Sequence, residues 1–477
     1  PSMLSKTGIY LAVSCVLFQV IYQAQPTPFI DEIFHIPQAQ KFCNGHFSEW
    51  DPKITTLPGM YFISVLILAP LSWFGGKSLC TVWSLRFINI MFNLVNLLIS
   101  YLILKRLRRE NVKPKVEDEK VRADKIWCSL SIGLFPLLYF YSFLYYTDPG
   151  STTFVLLAYL ACIHDHHKTA GLVSAISIVF RQTNVVWVMF MAGITVSDQL
   201  DDIEDVEKIQ ASPELHDKLA RYAPNYIAVS FRFFAKLLAA VLRYLLAVDH
   251  LILIASLIWP YLLVLCGFGG FVYINGGIVV GDRSSHQAVL HLAQLFYFSG
   301  FALAFASPVL ITKDKIARFV EMVRERSHEC LLYAALSCYV LFHYSHEHPY
   351  LLADNRHYVF YLWRLFLGRS VIRYVAVPVY MFAAWSINDS LSKNCTSLWK
   401  VVYIICVSCQ TAPQKLLEFR YFILPYIVFR INVKPQSKNT VWVELIIAVF
   451  VNLITVAVFL NKTFYWEDLK EPQRIMW

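Results

Sequence analysis

Charge is scarce in this chain: Asp, Glu, Lys and Arg make up 16% of its 477 residues, against about a quarter in an ordinary soluble domain. With 57% hydrophobic residues and a mean hydropathy of +0.50, that shortage excludes a soluble multidomain protein. No CxxC pair occurs among the eleven cysteines, which argues against a structural zinc centre; most of them sit in apolar runs as small hydrophobes. NGGIVVG lacks the spacing of a P-loop or a dinucleotide fingerprint, and no Ser-His-Asp signature appears. No small-x-small cleavage site follows the first apolar run, Ile9 to Tyr22, so it reads as an uncleaved span.

What the chain has instead is a succession of apolar windows from Gly8 to Asn461, each near the roughly 20 residues a membrane helix needs. The excess of Lys and Arg, +9 in formal charge, lies in loops beside those windows. Such loops set topology and do not suggest a nucleic-acid partner. Three segments are basic and read as cytosolic: Lys105 to Lys125, Lys313 to Arg326 and Arg430 to Lys438. The segment Pro26 to Thr56 carries more acid than base and belongs on the other side.

These anchors predict an all-α polytopic membrane protein of about 13 spans forming one domain over residues 1–477. Residues 25–82 become the first large outer loop. Within it, Leu57 to Phe74, interrupted by Pro58, Gly59 and Pro70, reads as a helix lying along the membrane. Single spans are expected at Ile126 to Tyr145, His291 to Ile311, Val371 to Ile387 and Phe419 to Phe429, among others. Ala170 to Val196 is expected to break into two short helices at FRQTN, leaving residues 197–243 as a cytosolic loop. In that loop Arg232, Lys236 and Arg243 share one face of an amphipathic helix. Cys43 and Cys80, both in the first loop, can pair in an oxidising compartment, but the balance of the reading is against it.

On this topology nearly every unusual polar cluster falls on the outer side. Asp31 and Glu32, with His35 and Gln38 behind them, follow the first span. One carboxylate suffices as the base of an inverting displacement at a sugar carbon when the leaving group is a phosphate, which needs cations and not an acid. The alternative for Asp31 and Glu32 is a solvated acidic edge. Arg181 lies at membrane depth, where a charge is expensive. Arg283 with His286, Arg356 with His357, and Lys415 with Arg420 follow apolar runs. Each pair can be simple anchoring, but together they point to a shared anionic ligand such as a lipid-borne phosphate. Asp148, in TDPGS, is a second carboxylate near the base or the N-cap of the next helix. The HDHHK cluster, with His164, His166 and His167, falls on the inner side and reads as a plain turn, so no metal site is expected.

The strings FIDEIFHIPQAQKFC, WDPKITTLPGMY, FRQTNVVW, INGGIVVGDRSSH, YLLADNRHYVFYLWR and PQKLLEFRYFILPY resemble, in order, the dolichyl-phosphate-glucose-dependent α-1,2-glucosyltransferases of the lipid-linked oligosaccharide pathway. The resemblance implies a GT-C glycosyltransferase fold with a lumenal first loop that holds membrane-parallel helices. It implies an endoplasmic reticulum location and no metal or other cofactor. The donor would be dolichyl phosphate glucose, and the acceptor a dolichol-pyrophosphate-linked oligosaccharide receiving its last glucose before N-glycosylation. It further implies Asp31 as base, with Glu32 the alternative. A transporter, a channel-associated subunit or a lipid scramblase is the competing class, although no inverted repeat of broken helices is evident.

Overall fold

The computed structural model describes residues 3–75, 79–108, 119–201, 248–283, 288–467, 469 and 471–477. They are mostly helical. Five helices are long and apolar enough to cross a membrane: Met3–Ala24, Val82–Leu107, Val248–Asn275, Val371–Ser392 and Lys438–Asn461. Several shorter apolar helices pack among them. The amphipathic face expected at Arg232, Lys236 and Arg243 lies outside the described residues, as does His286.

Several expected spans are broken, each for a local reason. The run Ile126 to Tyr145 ends as a helix at Gly133 and restarts as the short helix Pro136–Tyr141, because Pro136 cannot continue the first helix's hydrogen bonds. Pro308 similarly separates Ala293–Phe305 from Ser307–Leu310. At Val371 to Ile387, by contrast, Ser370–Val375 and Val377–Ser392 follow each other closely enough that Val371–Ser392 keeps the length of a span. The run Phe419 to Phe429 gives a 3-10 turn, Phe419–Phe422, and then a helix of 10 residues, Ile423–Asn432. At about 1.5 Å per residue that helix is only about half a bilayer core in length. The stretch at FRQTN is two helices as expected, His167–Phe180 and Val185–Asp201, joined by the 3-10 turn Gln182–Asn184.

The helix Val82–Leu107 organises the half of the molecule that matters here. Thr81 caps its start by accepting the Ser84 N–H, and Lys105 and Arg106 sit in its last turn, where positive charge suits the helix dipole. Its buried face carries polar residues at helical spacing: Arg86, Asn89, Asn93 and Asn96. Asn89 donates to the carbonyls of Leu144 and Tyr146 at 2.7 and 2.8 Å, and Asn96 donates to that of Pro149 at 3.0 Å. These bonds satisfy an irregular backbone stretch inside an apolar bundle, which would otherwise be costly. They also fix the start of the helix Thr147–Cys162, which carries Asp148.

Three of the polar clusters meet at the first loop. The turn at residues 276–283 docks on the first loop: the Asp282 N–H donates to the Pro52 carbonyl at 2.8 Å. Gly281 has φ +70°, and a Cβ there would collide with the carbonyl oxygens of Pro52 and Ile54, so only glycine fits. Gln182, beside Arg181, donates to the Thr55 carbonyl at 3.0 Å. Cys43 and Cys80 form a disulfide, against the expectation from sequence. It ties the end of the helix Glu32–Cys43 to the entry of Val82–Leu107.

Candidate active site

The two adjacent acids of the first loop have unlike surroundings. Ile30, just before them, has φ +54°, a conformation that costs a β-branched residue on the order of 1–3 kcal/mol and persists only where neighbours enforce it. Glu32 is part of that enforcement. Its carboxylate is fully buried and accepts from Arg86 Nε and Nη2 at 2.8 and 2.6 Å. It also accepts from the N–H groups of Phe29 and Tyr145 at 3.0 and 2.6 Å. Arg86 in turn donates to the carbonyls of Gln25 and Thr27 at 2.5 and 2.9 Å. The turn from Gln25 to Glu32 is therefore clamped to the helix Val82–Leu107, and Glu32 has no face left for a substrate.

Asp31 points the other way. Its side chain is 36% exposed, and its Oδ2 lies 3.1 Å from Arg420 Nη2. Arg420 lies beside the rings of Tyr141 and Tyr146, 5.5 and 5.2 Å from their centres. Its Nε pairs with Glu418, and its Nη1 is 3.8 Å from Asp148 Oδ2. Asp148 is 3% exposed and pairs through Oδ1 with Arg181. Its Oδ2 is buried with no hydrogen-bond partner among the described residues. Asp148 is not an N-cap, since Tyr146 holds that position; it lies in the first turn, where the helix dipole also favours a negative charge.

Burial pushes the Asp31 carboxyl up, but Arg420, His35 and His357 outweigh it and leave the group below the usual carboxylate range. His35, whose Nδ1 lies 2.5 Å from the Tyr61 hydroxyl, is pushed down to about 4. Burial is the main cause and Asp31 opposes it. Its imidazole is neutral at neutral pH.

Asp31 and Arg420 open on a cavity of about 390 Å³ whose other walls include Tyr141, Arg356, His357 and Trp477. Ile33, Val359 and Leu416 make the remaining wall apolar. Arg356 pairs with Asp354 at 2.7 and 2.8 Å and lies over the Trp466 ring. His357 Nδ1 meets the Trp477 carbonyl at 2.8 Å, and Tyr141 donates to the same oxygen at 2.6 Å. That carbonyl reaches the cavity because Gln473–Arg474 pairs with Thr463–Phe464 and the Met476 N–H bonds the Arg356 carbonyl.

The structure brings together Asp31, Arg356, His357 and Arg420, with Asp148 and Arg181 immediately behind Arg420. Lys415 immediately precedes the lining residues Leu416 and Leu417 without lining the cavity itself. Arg283 is elsewhere: exposed, it closes its own turn by donating to the carbonyls of Asn275, Gly276 and Val279. Sequence reasoning missed Arg86, Glu418, Asp354, the tyrosine pair and Trp477. Arg86 carried a usable signal, a charge inside an apolar run, which is the signal that singled out Arg181.

The family model described as the DIE2/ALG10 family matches residues 25–431. The chain is 41% identical over 471 residues to a human protein named Dol-P-Glc:Glc(2)Man(9)GlcNAc(2)-PP-Dol alpha-1,2-glucosyltransferase, covering 98% of this chain and 96% of that one. Proteins of the same name from Drosophila melanogaster and Arabidopsis thaliana are 37% and 33% identical. The first alignment covers 94% of this chain and 93% of the relative, the second 96% of each. Among solved structures, an Archaeoglobus fulgidus oligosaccharyltransferase matches at 10% identity with a TM-score of 0.31. That match covers 90% of this chain and 54% of the other, and it is too loose to say more.

Proposed function

Because the chain belongs to the DIE2/ALG10 family, we propose that it transfers glucose from dolichyl phosphate β-glucose to a diglucosylated dolichol-pyrophosphate oligosaccharide. The step is inverting and adds the third and last glucose in an α-1,2 linkage before protein N-glycosylation. The observation that supports this best is one cavity shared by a carboxylate, Asp31, and a guanidinium, Arg420, with an apolar wall suited to a lipid tail.

Asp31 takes the proton from the 2-hydroxyl of the acceptor's terminal glucose. The freed oxygen attacks C1 of the donor glucose from the side opposite the phosphate. The bond from C1 to the phosphate oxygen breaks, and dolichyl phosphate leaves with the electron pair. Arg420 stabilises charge on the departing phosphate. Arg420, though, is already shared among Asp31, Asp148 and Glu418. Two arginines, 181 and 420, among three carboxylates leave the cluster short of positive charge. Lys415 nearby adds positive charge, while Arg356 across the cavity shares its own with Asp354.

That sharing has a use. A phosphate that engages Arg420 withdraws the cation from Asp31, raising the carboxylate's proton affinity as the donor arrives. The base is strengthened only when there is something to attack. Glu32 and Arg86 hold the loop, and neither enters the chemistry. The role of divalent metal in other sugar-phosphate transfers falls here to arginine, with no cofactor.

The setting is a GT-C fold of about 13 spans forming a single domain. The helix Gly59–Gly75 lies along the membrane, and residues 25–82 face the lumen of the endoplasmic reticulum, with 197–243 cytosolic. The test is purified protein given dolichyl phosphate glucose and the diglucosylated acceptor. Asp31→Asn should abolish transfer while the protein stays folded. Retained turnover would remove Asp31 as base, and lipid or solute movement without donor consumption would remove the enzyme reading altogether.

A further inference from the structure

We propose that the face opposite the candidate active site carries a second binding site, one for a phosphate group. A polar cavity of about 370 Å³ opens there, where the far ends of Val82–Leu107, Thr147–Cys162, Val185–Asp201 and Ile423–Asn432 meet. Asp148 and Cys162 stand near opposite ends of one helix, so at helical rise the two cavities are roughly 20 Å apart. They share no lining residue.

Among the described residues three cations line this second cavity: Arg106, Arg108 and Lys434. They come from two basic segments far apart in sequence, each of which needed only to set topology. Setting topology requires positive charge on one side; it does not require the charges to converge on one concavity. Arg106 is held by its Nε bond to the Ile163 carbonyl at 3.0 Å. Arg108 Nη1 lies 3.4 Å from Cys128 Sγ, while its Nη2 is buried with no hydrogen-bond partner among the described residues. A guanidinium nitrogen buried without an acceptor is a group waiting for an anion.

Asp165, with φ +60°, and Asp198 also line the cavity. The Asp165 carboxylate suits a hydroxyl or ammonium group on the same ligand. A phospholipid headgroup and a free phosphate share the recognised chemistry, and experiment separates them.

The full-length purified protein would be titrated in two arms, with inorganic phosphate and with a short-chain phosphatidylethanolamine, reading the thermal unfolding midpoint. A rise in either arm is expected; a rise with the lipid alone assigns a headgroup, and one with phosphate alone assigns a soluble anion. Arg108→Gln and Lys434→Gln should each need about tenfold more ligand for the same rise. Lys434 is exposed, so its variant should fold even where Arg108→Gln does not. Glucosyl transfer by Lys434→Gln should match the parent. No rise in either arm, equal titrations of parent and variants, or a response lost in Arg420→Gln instead would each overturn the proposal.

Discussion

Two kinds of arginine–carboxylate contact coexist in this molecule. Arg86 with Glu32, and Arg430 with Glu444, are closed: buried, bidentate, and completed by backbone partners such as the Val433 carbonyl. Arg420 with Asp31, Asp148 and Glu418 is open. One cation serves three acids, one acid oxygen lacks a donor, and Asp31 looks into a cavity. A closed pair has nothing to gain from a ligand. An open cluster can exchange partners when an anion reaches Arg420, and that difference separates a pair that holds the fold from a group free to engage a ligand.

The contrast can be broken most directly at the adjacent acids. Asp31→Asn should lower turnover by at least about a thousandfold, measured by glucosyl transfer, with an unchanged unfolding midpoint. Glu32→Gln should do the reverse first. Removing one partner of a buried pair leaves a buried charge, at about 3–5 kcal/mol, so loss of folded protein and a lower midpoint should precede any kinetic defect. If Glu32→Gln folds like the parent and is inactive, the assignment of the two acids is exchanged.

Arg420→Gln comes next, with turnover down by about a hundredfold, read by steady-state kinetics. It should also move the pH profile. In the parent, Asp31 is held below the usual carboxylate range, so kcat/KM should stay level as pH falls and drop only below that range. Removing the cation should shift that acid limb upward, and in the parent the limb of kcat should lie above that of kcat/KM. Identical limbs would sink the idea that donor phosphate releases the base.

Cutting the Cys43–Cys80 bond by Cys43→Ser should destabilise the protein by about 2–4 kcal/mol, a typical value for a native disulfide. Its effect on transfer should be smaller than that of any site variant. The effect furthest from the chemistry belongs to His35. Its folded pKa, about 4, lies below its ordinary 6.5. The unfolded chain therefore takes up a proton that the folded one refuses, and stability should fall between pH 6.5 and 4. His35→Phe should flatten that slope in unfolding curves taken across the interval.

Helix positions were legible because membrane helices announce themselves by composition, and Asp31, Arg181 and Arg420 because charges are rare here. Breaks inside expected spans were visible only in part. Pro136 and Pro308 were in plain view, yet an apolar window averages over them. Glu32 was not separable from Asp31, since only the direction of the turn at Ile30 sends one acid to Arg86 and the other to the cavity. Arg283 looked equivalent to Arg420, and what distinguishes them is whether nearby backbone carbonyls consume the guanidinium. Trp477 carried no signal, because its place depends on a two-residue strand pairing.

The bond from Arg474 to Gln25 joins residues 449 positions apart. A chain growing at about 5–20 residues per second exposes Asp31 for tens of seconds before Arg420 and the terminal strand exist. The disulfide from Cys43 to Cys80 spans only 37 residues and can close early in that interval. During synthesis, then, the first loop can be secured long before the residues that face Asp31 across the cavity exist.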